Sequence, residues 1–207
     1  MGLTRNYKNY VSLYMNNIAG GTADFSDASI ACMKDYYGSL RAITKPEEYF
    51  SGNSGSSYSF TQLPLLTPLY IGTSIATTGD RLYNRFLCFG TGTADESIED
   101  YKLGNAVFTF SIVNGGSISY NTSILGDGSI KTTVSGVFQS SEDVTINEIG
   151  IVSFRSLAPS QSYGSSYRST YPFLMWRKKL DTPINFVAET PVRVSFDIIL
   201  PNLVPNY

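Results

Sequence analysis

Histidine is missing from this chain altogether, and its absence removes a large share of side-chain chemistry. Without it there is no Ser-His-Asp or Cys-His nucleophile system and no use of the commonest transition-metal ligand. Cysteine is scarce too: Cys32 and Cys88 are the whole supply, and a zinc site built without histidine needs four. The two could pair only if folding brought their Cα atoms within about 7 Å, and otherwise they read as buried free thiols. Charge is thin, at 15% of residues against the roughly 25% usual in soluble domains. Fifteen basic residues face seventeen acidic ones with no block of like sign, so no nucleic-acid partner is expected. No apolar run reaches the roughly 18 residues of a membrane span. The first residues also lack a signal-peptide pattern, so the expectation is a soluble protein with no membrane partner.

What the chain has instead is aromatic and small polar surface. Fifteen Tyr and twelve Phe favour strands and contact surfaces over long solvated helices. The clearest strand lies over 191–200. There Val192, Val194, Phe196 and Ile198 alternate with Arg193, Ser195 and Asp197 in the period-2 pattern of one buried and one wet face. Further strands are expected over 85–89, 107–113, 118–120, 130–137, 144–151, 173–176 and 184–187, with hairpin turns at Asn114-Gly115-Gly116 and Gly126-Asp127-Gly128. Parity slips twice, between Val134 and Val137 at Gly136 and between Ile146 and Ile149 at Asn147-Glu148, and a β-bulge is expected at each. Strands at hairpin spacing predict a mostly β protein, with an antiparallel β-sandwich of jelly-roll or immunoglobulin-like type over 59–207.

Residues 1–58 read as an N-terminal arm and linker. Tyr7, Tyr10, Val11, Tyr14 and Ile18 recur every three or four residues, which predicts an amphipathic helix over 6–17 with a tyrosine stripe. A lone helix of about twelve residues is marginal in water and needs a surface to lie on. Its own domain is one such surface. A neighbouring subunit is the other, with Tyr7, Tyr10 and Tyr14 as assembly anchors and the arm serving assembly more than the fold. A short apolar stretch over 29–33, a turn at Asp35-Tyr-Tyr-Gly38 and an edge strand over 39–44 follow. The Ser/Gly-rich run 51–57 reads as the linker.

No pattern names a reaction. Gly90-Thr-Gly92 lacks the later glycine of a dinucleotide loop and the Gly-Lys-Ser/Thr of a phosphate loop, so it reads as a turn. Thr93 and Glu96 have capping-box spacing, which predicts a short helix to about Asp100. Asp95, Glu96, Glu99 and Asp100 then serve that helix rather than calcium, whose spaced Asp/Asn-Gly-Glu loop is missing. Arg177-Lys178-Lys179 beside Trp176 could face phosphate or stack a base, but three charges closing a strand read more simply as a wet turn. Tyr163, Tyr167 and Tyr171, in and beside the Ser/Tyr-rich stretch 156–170, could form a sugar platform or an interface rim. A carboxylate pair for glycoside hydrolysis can always be drawn from seventeen acids, and nothing singles one out. No catalytic residue, metal or cofactor is assigned.

Three segments in fixed order carry a resemblance. Phe89-Gly-Thr-Gly92 leads into Ser97-Ile-Glu-Asp-Tyr-Lys-Leu103; Ile146-Asn-Glu-Ile-Gly-Ile151 comes second; Leu174-Met-Trp-Arg177, followed by Pro183-Ile184 and the alternating strand over 190–199, comes third. Across about residues 87–200 the chain resembles a group of small tailed-bacteriophage virion proteins, β-sandwich components of head, neck or tail. The resemblance implies a non-enzymatic virion subunit, assembled in the host bacterial cytoplasm, in the first instance a capsid auxiliary or decoration protein. Its partners would be other capsid or tail subunits and copies of itself. It implies no catalytic residue and no cofactor. The rival readings are a carbohydrate- or receptor-binding tail module using the Tyr163 to Tyr171 loop and, third, a glycan hydrolase.

Overall fold

The computed structural model describes residues 2–18, 32–42, 70–71, 85–113, 118–157 and 169–201. Along them run one helix, α1 (Arg5–Ile18), and the strands β1 (Cys32–Lys34), β2 (Leu40–Ala42), β3 (Tyr70–Ile71), β4 (Arg85–Gly90), β5 (Ala106–Val107), β6 (Phe110–Ile112), β7 (Ser119–Ile124), β8 (Ile130–Ser140), β9 (Val144–Leu157), β10 (Ser169–Phe186) and β11 (Val192–Leu200). The protein is mostly β, and among the described residues every pairing is antiparallel except the short contact of β3 with β4. One sheet runs β10-β9-β4-β3 with β5 also on β4; a second runs β11-β8-β6 with β7 also on β8; β1 and β2 form a separate hairpin.

The two sheets share one core. Phe89 of β4 packs on Phe110 of β6 with ring centroids 4.5 Å apart and edge-on to Phe138 of β8 at 5.3 Å. Trp176 of β10 stacks on Phe196 of β11 at 5.4 Å. Each such pair contributes about 0.5–1.5 kcal/mol beyond the area it buries. β11 alternates as its sequence predicts, because its far face is open to solvent. β4 and the middle of β9 do not alternate: residues 86–90 and 148–153 are buried throughout, so the first sheet is covered on both faces. Its outer face carries a second apolar cluster of Phe86, Cys88, Leu103, Val152 and Leu174, with Tyr36 packed against it. Leu103 comes from the loop after β4 and Tyr36 from the turn of the β1–β2 hairpin, and Leu103 N donates to Tyr36 Oη at 3.1 Å.

Several expected elements are placed differently. The stretch 107–113 is not one strand: β5 pairs with β4 and β6 with β8, so the chain changes sheets at Phe108-Thr109. β7 returns along β8 rather than β6; Asn114, Gly115 and Gly116 lie outside the described residues, as do the run 51–57 and residues 158–168. The turn at Gly126-Asp127-Gly128 is present, with Leu125 N donating to Ser129 O at 2.8 Å and Gly128 at a φ of 79°, a conformation cheap only for glycine. No bulge interrupts β8 at Gly136, since its register with β11 is unbroken from Ile130 to Phe138. The phase holds because Phe138 lays its ring over Gly136, where a Cβ would come within 2.6 Å of Cζ. At Asn147-Glu148 the parity change is real, for Ile146, Ile149 and Ile151 all reach the main core. The extra residues sit on the partner, however: β10 shifts register between Lys179 and Ile184, opposite Asn147, and the expected strands 173–176 and 184–187 are parts of this one strand.

The helix forms and folds back onto this body. Thr4 Oγ1 caps it by accepting Tyr7 N at 3.4 Å and donates to Leu174 O at 2.7 Å. Leu3 bridges Trp176, and Arg177 N donates to Gly2 O at 2.7 Å, which continues the edge of β10. Asn6 clasps the hairpin through Lys34 O at 2.8 Å and Lys34 N at 2.9 Å. Tyr7 and Tyr10, each 4% exposed, belong to the main core. The side chains read as anchors for a neighbouring subunit therefore pack on their own chain, because the capped helix is already fastened there by backbone bonds. The side chain of Tyr14 lies outside the described residues.

Candidate functional site

β9 and β10 bring a carboxylate and a guanidinium together on the covered face of the first sheet. Glu148 is fully buried and Arg177 is 3% exposed, with Arg177 Nε donating to Glu148 Oε2 at 2.7 Å. Both positions depend on lost register. The parity change after Ile146 turns Glu148 onto the face of Gly150 and Val152, while the shift between Leu174 and Trp176 does the same for Arg177. With regular alternation Arg177 would point into the apolar core instead.

The segment 91–105 closes over the pair. Glu148 Oε1 accepts Gly92 N at 3.0 Å and Asn105 N at 3.3 Å. Arg177 Nη1 donates to Asp95 O at 3.0 Å and Asp100 Oδ2 at 2.7 Å, and Nη2 donates to Ala94 O at 2.8 Å. Asn147 Nδ2 reaches Thr91 O at 3.0 Å, Lys179 N reaches Glu96 Oε1 at 3.1 Å, and Lys179 Nζ pairs with Asp95 at 2.7 Å. Close approach is what the glycines beside the pair provide: a Cβ on Gly90, at the end of β4, or on Gly92 would come within 2.6 or 2.4 Å of Glu148 Oε1. The helix expected from Thr93 to Asp100 is absent for the same reason. The carbonyls of Ala94 and Asp95 are turned to Arg177, and the Glu96 carboxylate, which would have closed a capping box, accepts the Lys179 amide. Nor is Arg177-Lys178-Lys179 a wet turn; it is the middle of β10.

Burial works against the Arg177 charge, but hydrogen bonds to Asp100 and Glu148 outweigh it and its pKa is raised. Out on the surface, the hydrogen bond from Lys179 holds the Asp95 carboxyl below the usual range. A buried pair of this kind gains little over two well-packed apolar side chains, yet losing one partner costs about 3–5 kcal/mol. Both carboxylate oxygens and all three guanidinium nitrogens are hydrogen-bonded within the chain. The arrangement is therefore a clamp. It fixes the exposed rim 93–95 and 97–99, which a second fastening also holds: Arg5 N donates to Ile98 O at 2.7 Å, and Arg5 Nε to the Glu99 carboxylate at 2.9 Å.

Of the tyrosines singled out by sequence, Tyr7, Tyr10 and Tyr171 have described side chains. Tyr7 and Tyr10 are core residues, and Tyr163 and Tyr167 lie outside the described residues. Tyr171 starts the inner part of β10, half-buried, with the Arg41 guanidinium 4.0 Å from its ring centroid. Arg41 is held there by Asp35, whose buried carboxylate accepts its Nε at 2.7 Å. Cys88 is a free buried thiol, pushed up to about 12 by burial. Sequence reasoning missed Glu148 and Arg177 as partners. The signal was present in two opposite charges beside apolar residues: Glu148 within Ile146-Asn-Glu-Ile-Gly-Ile151, and Arg177 directly after the apolar run Phe173-Leu-Met-Trp176.

Among the described residues no group of three or more Cys, Asp or Glu side chains is placed to hold a metal ion, and no helix is long and apolar enough to cross a membrane. No protein-family model matches the chain, and no curated protein matches it.

Proposed function

We propose that the chain is a non-enzymatic structural subunit of a tailed-phage virion, a capsid auxiliary or decoration protein that binds neighbouring virion subunits and is built as an antiparallel β-sandwich. One observation carries this reading. The three segments that resemble such proteins lie far apart in sequence, yet they meet at a single clamp: the first supplies Gly92 and Asp100, the second Glu148, the third Arg177. Three short β patterns could coincide with a family by accident; patterns that together build one contact belong to one structural unit. The clamp also suits a subunit that presents a surface, since a loop fixed before docking has less freedom to lose on binding.

A carbohydrate-binding tail module remains the alternative. It is weakened at Tyr171, where one side of the ring is taken by Arg41. Mass spectrometry of gradient-purified particles tests the proposal, which expects this chain at a fixed ratio to the major shell protein. Its absence from particles would overturn the reading, and saturable binding on a glycan array would transfer it to the alternative.

A further inference from the structure

Among the described residues β11 is a nine-residue strand at the edge of its sheet. Monomeric proteins break up such edges with proline, bulges or inward charges. β11 has none of these within Val192–Leu200: its nine residues pair with β8 in continuous register, and its inward row is apolar. Among the described residues no strand lies on its other side.

The outward row, Pro191, Arg193, Ser195, Asp197 and Ile199, is self-complementary when read against itself in the opposite direction. Two copies paired about a two-fold axis perpendicular to the sheet keep both apolar rows on the core side only if the axis passes through a residue. Centred on Arg193 or Asp197, it sets like charges face to face. Centred on Val194 or Phe196, it leaves both charges opposite neutral side chains. Centred on Ser195, it sets Arg193 against Asp197 twice and Pro191 against the half-exposed Ile199 twice. The dyad then falls on small side chains, since Ser195 is level with Ser135 and Ser119 across the sheet. Asp197 already accepts Lys131 Nζ at 2.8 Å and Thr133 Oγ1 at 2.6 Å, which hold the carboxylate in place while it stays 40% exposed.

We infer that β11 is the interface for a second copy of this chain, joined antiparallel about Ser195 so that the β11-β8 sheet continues across the dimer. A two-fold pair is isologous, so one patch serves both partners, and main-chain bonds along the strand give it affinity without a large apolar area. This does not depend on the virion reading; the pair would form in solution whether or not the chain enters a particle.

Sedimentation equilibrium of the full chain should give twice the 22.7 kDa chain mass. Residues directly opposite in an antiparallel pair have Cα atoms about 4.5–5.5 Å apart, inside the disulfide range. Ser195→Cys should therefore link two chains on mild oxidation. Arg193→Cys should not, because the two copies of residue 193 would be about 13 Å apart along the strands. Arg193→Asp alone and Asp197→Arg alone should each weaken the dimer at least about tenfold. An equal mixture of the two should restore it, a recovery that misfolded chains cannot produce. A chain that sediments as a monomer at every concentration overturns the inference, as does a dimer in which Ser195→Cys links no faster than Arg193→Cys.

Discussion

Arg177 Nε lies 2.7 Å from Glu148 Oε2, so a buried ion pair joins the two longest strands at the places where each departs from regular alternation. Removing one partner strands the other charge without water. Glu148→Ala should cost about 3–5 kcal/mol in denaturant unfolding. Arg177→Met combined with Glu148→Leu should cost less than the two single changes added together. Additive losses would mean that the two residues do not act as a pair.

The glycines around the clamp separate close approach from mere turn geometry. Gly92→Ala puts a Cβ within 2.4 Å of the Glu148 carboxylate and should destabilise the protein by about 1–3 kcal/mol. Gly126→Ala meets nothing within 4 Å and should stay within about 0.5 kcal/mol of the parent. Equal effects at the two positions would contradict the packing described for the loop.

The N-terminal segment docks on the sheet of its own chain, the first of the two surfaces considered for it, so it contributes to the fold. Leu3, Tyr7 and Tyr10 are buried, and each contributes roughly 1.5–3 kcal/mol through burial. Deleting residues 1–18 should lower Tm by about ten degrees or more, at about 2–4 °C per kcal/mol for a chain of this size. A truncated chain that melts with the full one would return the helix to an assembly role.

The strands most legible in sequence were those with one wet face. β11 shows its alternation because Arg193, Ser195 and Asp197 face solvent. β4 and the middle of β9 lose period 2, since both of their faces are covered. The change of sheet at Phe108-Thr109 left no trace, for Phe108, Phe110 and Ile112 alternate equally well in either sheet. At Asn147 the parity shift was readable in β9, but not that its extra residues belong to β10. Local signals misled at Thr93 and Glu96, where tertiary bonds to Arg177 and Lys179 displaced the capping pattern. The tyrosine stripe announced a buried helix face, and periodicity cannot say what buries it.

Alkaline pH should find the buried acids. Burial first, and the neighbouring Tyr10 second, push the Tyr7 phenol up to about 12; burial alone pushes the Cys88 thiol up to about 12. In the unfolded chain such groups ionise near pH 8.5–10. Their contribution to stability is therefore complete below about pH 8.5 and is lost as the pH climbs towards 12. Tyr7→Phe should make that decline shallower in thermal melts taken from pH 8 to 12. An unchanged slope would mean that Tyr7 is not shielded from water.

The proposed role as a repeated structural part of a virion is open to view in a cryo-EM map of the intact particle. Density for the two-sheet body is expected at symmetry-related positions on the shell or tail, with α1 packed against its own β10 and neighbouring subunits in contact with exposed surface. A complete particle map with no such density, from a host that makes the protein during infection, would contradict it.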